Sequence, residues 1–154
     1  MDGQKILVPY NFTGNDQKTL DFIVQQYCQE KDAEITLFHV YTPVPNIDVS
    51  DKTVMNLLTG NLSYLRQKIS ELEEAFGKAR ERLIRAGFGS GRVHCEFKPV
   101  KDDVAQEIIN QVKSGGFDTI VLNHNPSRIK GFFTMSTSKK IVRALPGVRI
   151  HMVA

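Results

Sequence analysis

The sequence contains no tryptophan, only two cysteines, and no apolar run near the roughly 18 residues a membrane-spanning helix needs. Cys28 and Cys95 lie in different segments, far below the density of a disulfide-stapled scaffold. That usage suits a reducing compartment, and a cytoplasmic location is expected. The opening MDGQKILVPYNF has no basic lead followed by a long apolar stretch, so no signal peptide is expected. Acid is missing from one whole region: Thr119 to Ala154 holds no Asp or Glu. Its six basic residues (Arg128, Lys130, Lys139, Lys140, Arg143, Arg149) give +6, against −3 over residues 1–118, for a net +3. Such asymmetry points to an anion contact in the C-terminal quarter. The basic quarter alone, with no interleaved aromatic platform beyond the single pair Phe132-Phe133, does not point to nucleic acid, and no membrane partner is expected.

What is present reads as one α/β unit. At 154 residues the chain is expected to form a single domain spanning 1–154, large enough to fold without disulfide or metal. Lys5–Val8, Ile35–Val40, Thr119–Leu122 and Val148–Val153 are short apolar runs rich in β-branched residues. Runs of that kind are expected of strands buried on both faces of a parallel sheet. Val93, Cys95 and Phe97 alternate with His94 and Glu96, which predicts a fifth strand nearer an edge. The last run alternates in part, Ile150 and Met152 against Arg149 and His151.

Helical stripes separate the strands. Leu20, Ile23, Val24, Tyr27 and Cys28 form the first. Leu65, Ile69, Leu72, Phe76, Ala79 and Leu83 form a longer, nearly heptad stripe ending near Gly87; packing on a sheet explains it better than a coiled coil. Val104, Ala105, Ile108, Ile109 and Val112 form a third, with Asp103 and Gln106 as a capping pair and Gly115-Gly116 as a stop. A fourth carries Ile141 and Leu145 and breaks at Pro146-Gly147. Strand and helix alternate throughout, so right-handed crossovers give an open, doubly wound parallel sheet. The one long connection runs from Thr42 to Asn61 and contains a small apolar cluster at Val54, Leu57 and Leu58.

In such sheets ligands bind beyond the carboxyl ends of the strands, where strand order reverses. Pro9–Gly14, Tyr41–Pro45 and Asn123–Ser138 fall there. The last segment ends in Ser136, Thr137 and Ser138 at a helix start, with Arg128, Lys130, Lys139 and Lys140 around it. These hydroxyls suit a phosphate, and they equally suit ordinary helix capping. No catalytic constellation accompanies them: there is no P-loop, no G-x-G-x-x-G and no G-x-S-x-G. His39, His94, His124 and His151 lie in separate segments without metal-ligand spacing, and His39 reads as a core histidine. Asp102-Asp103 reads as a helix start rather than a carboxylate pair. An enzyme is not expected.

The first strand with its continuation, KILVPYNFTGNDQKTL, and the closing FDTIVLNHNPSRIKGFFTMSTSKKIVRALPGVRIHMVA resemble the universal stress protein family. ITLFHVY and KDDVAQEIINQVKSGGFDTIVL extend the resemblance; Thr42 to Arg92 agrees in pattern only. The resemblance implies an adenine-nucleotide α-hydrolase-like (Rossmann-like) fold of five parallel strands, in the order 3-2-1-4-5. It also implies a cytoplasmic regulatory module of the stress response, homodimeric through Val148–Val153, with ATP or AMP as the candidate ligand. The implied binding residues are Pro9, Tyr10, Asn11, Val40, Asn123, Asn125, Pro126, Arg128, Ser136, Thr137 and Ser138. The family's nucleotide binders carry G-x-x-G, nine residues, then G-S or G-T. Here those positions are Asn123, Pro126 and Ser136-Thr137, or Met135-Ser136 if the loop is one residue shorter, and every signature glycine is gone. The usual acidic residue after the first strand is Asn11. ATP binding is therefore expected to be weak, altered or absent.

Two alternatives share the architecture. Phe12-Thr13-Gly14-Asn15 faintly resembles a flavodoxin phosphate loop, with Tyr41 as a flavin-stacking partner, though only Thr13 and Thr19 supply hydroxyls. An adenylyl-transferring enzyme should show H-x-G-H after the first strand, where this chain has Pro9-Tyr10-Asn11-Phe12.

Overall fold

A computed structural model describes residues 3–10, 12, 16–43, 52–123 and 135–153, with the backbone alone for 52–60, 135 and 136. Among the described residues five strands alternate with four α-helices: β1 Lys5–Pro9, α1 Asp16–Tyr27, β2 Glu34–Tyr41, α2 Lys52–Arg85, β3 Val93–Pro99, α3 Val104–Gly115, β4 Thr119–Asn123, α4 Met135–Ala144 and β5 Arg149–Val153, with a short 3-10 turn at Ser90–Arg92 before β3. All pairings are parallel, in the order β3-β2-β1-β4-β5. The fold is the open, doubly wound Rossmann-like sheet that the alternation of runs and stripes implies.

Each central strand feeds two cores, because successive side chains point to opposite faces. Ile6, Val8, Ile35 and Leu37 meet Leu20, Ile23 and Tyr27 of α1 and Phe76, Ala79 and Leu83 of α2. Leu7, Phe38, Val40, Ile120 and Leu122 meet Ala105, Ile108, Ile109 and Val112 of α3 and Ile141 and Leu145 of α4. Burying a side chain of this size is worth roughly 1.5–3 kcal/mol, so both layers hold the sheet from either side.

Helix α3 shows how local sequence sets its ends. Asp103 accepts from the Gln106 backbone N–H at 2.7 Å. The reciprocal arm of a capping box is replaced by Asp102, whose Oδ1 accepts the Asp103 N–H at 2.8 Å. Gly116 closes the helix in the left-handed region at φ 67, a conformation glycine adopts without a Cβ penalty.

Three expectations need correction. The connection after β2 is not structureless to Asn61, because α2 already begins at Lys52 and takes in Val54, Leu57 and Leu58. Cys95, expected on the inward face of β3, is exposed, since an edge strand is covered only along part of its length. In β5, Met152 is 47% exposed while His151 is half-buried, its ring 5.5 Å from that of Phe22. The edge position explains this: among the described residues β5 has a neighbouring strand on one side only.

A crevice bounded by two helix starts

The crevice follows from topology. β1 is flanked by β2 and β4, and the helices leaving β1 and β4, α1 and α4, lie on opposite faces. The strand order therefore reverses between β1 and β4, which opens a crevice beyond their carboxyl ends.

Parallel register brings three of the candidate residues together there. Pro9 pairs with Phe38, the Tyr10 N–H donates to the Phe38 carbonyl at 2.8 Å, and Val40 follows two residues on. Pro9, Tyr10 and Val40, with Phe38, His39, Val104 and Ile108, line a cavity of about 10 Å³. That is the room of a single water, well below the roughly 300 Å³ at which small-molecule pockets begin. Tyr10 is buried, and its phenol is pushed up to about 12, first by burial and then by the Asp16 carboxylate, with Arg82 opposing.

Aromatic rings fill the α2 side of this end. Phe12 has φ 60, a backbone conformation that costs a non-glycine residue on the order of 1 kcal/mol or more. Its ring packs edge-on against Tyr10 at 4.9 Å and His39 at 4.7 Å. Phe76 lies 5.9 Å away. Tyr41, the expected flavin platform, packs instead on Phe97 at 4.7 Å.

On the β4 side, Asn123 is fully buried and its side-chain amide donates to Asp16 Oδ1 at 3.0 Å. Asp16 opens α1 and is itself 1% exposed, with buried Thr19 one turn on. At the start of α4, Thr137 is half-buried and Ser138 is buried. The Ser138 Oγ has no hydrogen-bond partner among the described residues. A buried, unsatisfied hydroxyl costs about 1–3 kcal/mol, which a ligand oxygen would recover. The basic cluster is partly committed elsewhere, because the Lys140 ammonium lies 2.7 Å from Asp103 Oδ2. This bridge, with the Gln106 N–H, holds the Asp103 carboxyl below its usual range. Lys139, Lys140 and Arg143 line a shallow basic groove of about 540 Å³ along α4. Asn11, Asn125, Pro126 and Arg128 lie outside the described residues, as does the side chain of Ser136.

Sequence reasoning missed Asp16, and it took Phe12 for part of a loop rather than for a packed ring. Asp16 stands four residues before Leu20 and so falls on the apolar stripe of α1; a carboxylate on a buried face was the available signal. Among the described residues no group of His, Cys, Asp and Glu could hold a metal, and no helix is long and apolar enough to cross a membrane.

An open parallel sheet whose strand order reverses between β1 and β4 defines the Rossmann-like class of α/β folds. The chain belongs to the universal stress protein family, whose profile matches residues 3–147. No curated protein sequence matches it. Among solved structures it is similar to the universal stress protein UspA from Lactobacillus plantarum, at 16% identity and TM-score 0.67, covering 100% of this chain and 99% of that one. It is also similar to a universal stress protein from Archaeoglobus fulgidus in complex with dAMP, at 11% identity and TM-score 0.59, with 100% of each chain covered. A third, a universal stress protein in complex with cAMP, shares 16% identity at TM-score 0.62, covering 99% of this chain and 98% of that one. At these identities the likeness concerns the fold.

Proposed function

We propose that the protein is a regulatory binding module of the stress response: a single-domain, cytoplasmic homodimer whose crevice takes a nucleotide or another small anion, with ATP binding weakened or altered. The observation that carries the ligand reading is Ser138, a buried hydroxyl without a partner among the described residues, in the first turns of α4. Helix N-termini favour anions through their free N–H groups and their dipole, and Lys139 stands beside it. The solved relatives holding cAMP and dAMP support a nucleotide as the anion. The lost glycines and the cavity of about 10 Å³ at Pro9, Tyr10 and Val40 argue against an unaltered ATP cradle. We place the candidate site at Pro9, Tyr10, Asn11, Val40, Asn123, Asn125, Pro126, Arg128, Ser136, Thr137 and Ser138.

Native mass spectrometry of freshly purified protein, with thermal shifts in ATP, AMP and inorganic phosphate, tests this reading. A co-purified adenine nucleotide, or a rise in melting temperature with AMP that Ser138→Ala removes, supports it. A ligand-free protein that none of the three stabilises refutes it.

A further inference from the structure

Helix α2 is longer than the strands it packs on, and its two ends differ in burial and charge. From Leu58 to Leu83 apolar residues recur at alternating steps of four and three, the a and d positions of a heptad. Phe76, Ala79 and Leu83, at the C-terminal end of this stripe, are buried in the core with β1 and β2. Toward the N-terminus Leu62, Ile69 and Leu72 are half-buried and join neither core, and Leu65 is 40% exposed. Ile69, Arg66 and Glu73 line an open groove of about 360 Å³ against Tyr41, Pro43 and Pro99. Lys52 to Ser70 contains no Asp or Glu; its charges are Lys52, Arg66 and Lys68, and the first acids after it are Glu71, Glu73 and Glu74. Arg66 and Lys68 stand at e and g, the positions that flank the stripe on either side. Arg66 is exposed, and no ion pair or hydrogen bond among the described residues engages it. Lys68 lies over the Tyr64 ring and reaches Glu71 at 3.4 Å, an exposed pair of the kind that contributes little.

We propose that the N-terminal half of α2 is a docking surface for an amphipathic helix of another protein, one with apolar a and d positions and acidic flanks. Anchors at steps of three and four are how one helix reads another, and charges at e and g choose the partner. Cations on both flanks, with no acid from Lys52 to Ser70, complement an acidic rim. A second copy of this chain lacks that rim. Paired antiparallel with Leu65 on Ile69, it sets Arg66 against Arg66 and Lys68 against Lys68. Moved one heptad toward its N-terminus, it offers the positions of Thr59 and Asn61, which carry no charge. Moved the other way, or paired in parallel, it needs Phe76, which is 2% exposed in its own core. A lipid surface calls for a wider apolar face than an a/d stripe.

Two synthetic peptides of about three heptads test the proposal, both with Leu at a and d, one with Glu and the other with Lys at e and g. Each is titrated into isotope-labelled wild-type, Leu65→Ala and Arg66→Glu protein while backbone amide shifts are followed. Both substituted side chains are exposed, so both variants should melt as the wild type does. The Glu peptide should bind the wild type with a Kd of about 100 μM or tighter, shifting amides of α2 between Asn61 and Leu72. The Lys peptide should bind about tenfold more weakly or worse. Leu65→Ala should weaken the Glu peptide about tenfold, as expected for a leucine withdrawn from the contact. Arg66→Glu should narrow or invert the preference between the peptides. Equal binding of the two peptides, no binding of either, or shifts confined to other elements overturns the proposal. Unchanged behaviour of Leu65→Ala or of Arg66→Glu overturns it too. Self-association that Leu65→Ala abolishes would instead assign the stripe to a second copy. Leu65-dependent binding to phosphatidylserine vesicles, with neither peptide bound, would assign it to lipid; each of these results also overturns the proposal.

Discussion

The imidazole of His39 donates from Nδ1 to the backbone carbonyl of Tyr10 across 2.7 Å. A carbonyl only accepts, so Nδ1 carries the proton and the ring is fixed in that tautomer. The bond joins β2 to the chain leaving β1, at the rim of the crevice. Burial holds the His39 pKa below its ordinary value, and the hydrogen bond to Tyr10 only partly opposes this.

A pH dependence follows. Below about pH 6.5 the unfolded chain binds a proton at His39 that the folded protein resists, so the unfolded state holds more protons and stability rises with pH. The contribution is complete above about 6.5 and is lost as pH falls through the depressed folded value. Tyr10, raised to about 12, titrates outside this window. Denaturant unfolding between about pH 7 and pH 5 should show stability falling by up to about 1.4 kcal/mol per unit, with a shallower slope in His39→Gln. An unchanged slope in that variant contradicts the assignment.

The turn after α2 makes a separate, purely conformational prediction. Gly87 has φ 124, and a Cβ there would lie 2.8 Å from Cys28 Sγ. Gly116 also has positive φ, at 67, but a Cβ would meet nothing within 4 Å. Gly116→Ala should therefore cost about 1 kcal/mol, from backbone strain alone. Gly87→Ala should cost about 2 kcal/mol or more, from strain and overlap together. Adding Cys28→Ala should recover part of the second cost and none of the first. Equal penalties at the two glycines would refute the overlap.

The heptad-like stripe of α2 divides into two physical halves. The helix has 34 residues, about 51 Å at roughly 1.5 Å per residue, whereas the longest strand beside it has eight residues, about 27 Å. Phe76, Ala79 and Leu83 are buried against the sheet, while Leu65 is 40% exposed. Phe76→Ala should lose about 3–5 kcal/mol by opening a cavity among Tyr10, Phe12 and Phe97. Leu65→Ala should stay within about 0.5 kcal/mol. Comparable losses in denaturant melts would mean that the overhanging half is packed as tightly as the other.

The contrast between these halves shows what the sequence can convey. Unbroken β-branched runs located β1, β2 and β4 because a doubly covered strand has no polar face to interrupt it. They fell one residue short at Pro9 and Asn123, since both residue types ordinarily mark turns, yet here each closes a strand. Pro43 and Pro45 concealed the start of α2 at Lys52, because proline ordinarily announces a loop and the helical pattern resumes without a long apolar stripe. Pro9, Tyr10 and Val40 were named together by the family resemblance alone; strand alternation marked the ends of β1 and β2, and it is the register seen in the structure that makes the three neighbours. The Asp16–Asn123 bond was not legible, because one polar pair 107 residues apart leaves no periodic trace. The commitment of Lys140 to Asp103 was hidden for the same reason: charge counting locates a cation on the chain and says nothing of its partner.

The homodimer reading rests on an edge. Among the described residues β5 pairs with β4 alone in the sheet, so its other side presents backbone donors and acceptors suited to an added strand. Met152 on β5 and Val142 on α4 are both 47% exposed, apolar surface that a second copy related by a two-fold axis would cover from both sides. Sedimentation should find a dimer at micromolar concentration. Met152→Lys and Val142→Lys together should convert it to a monomer, placing two unpaired charges per copy in a desolvated contact. Because both side chains are half exposed in one copy, the monomer should keep its melting behaviour apart from the stability lost with the interface. A wild-type protein that sediments as a monomer, or a double variant that still dimerises, would move the interface away from β5.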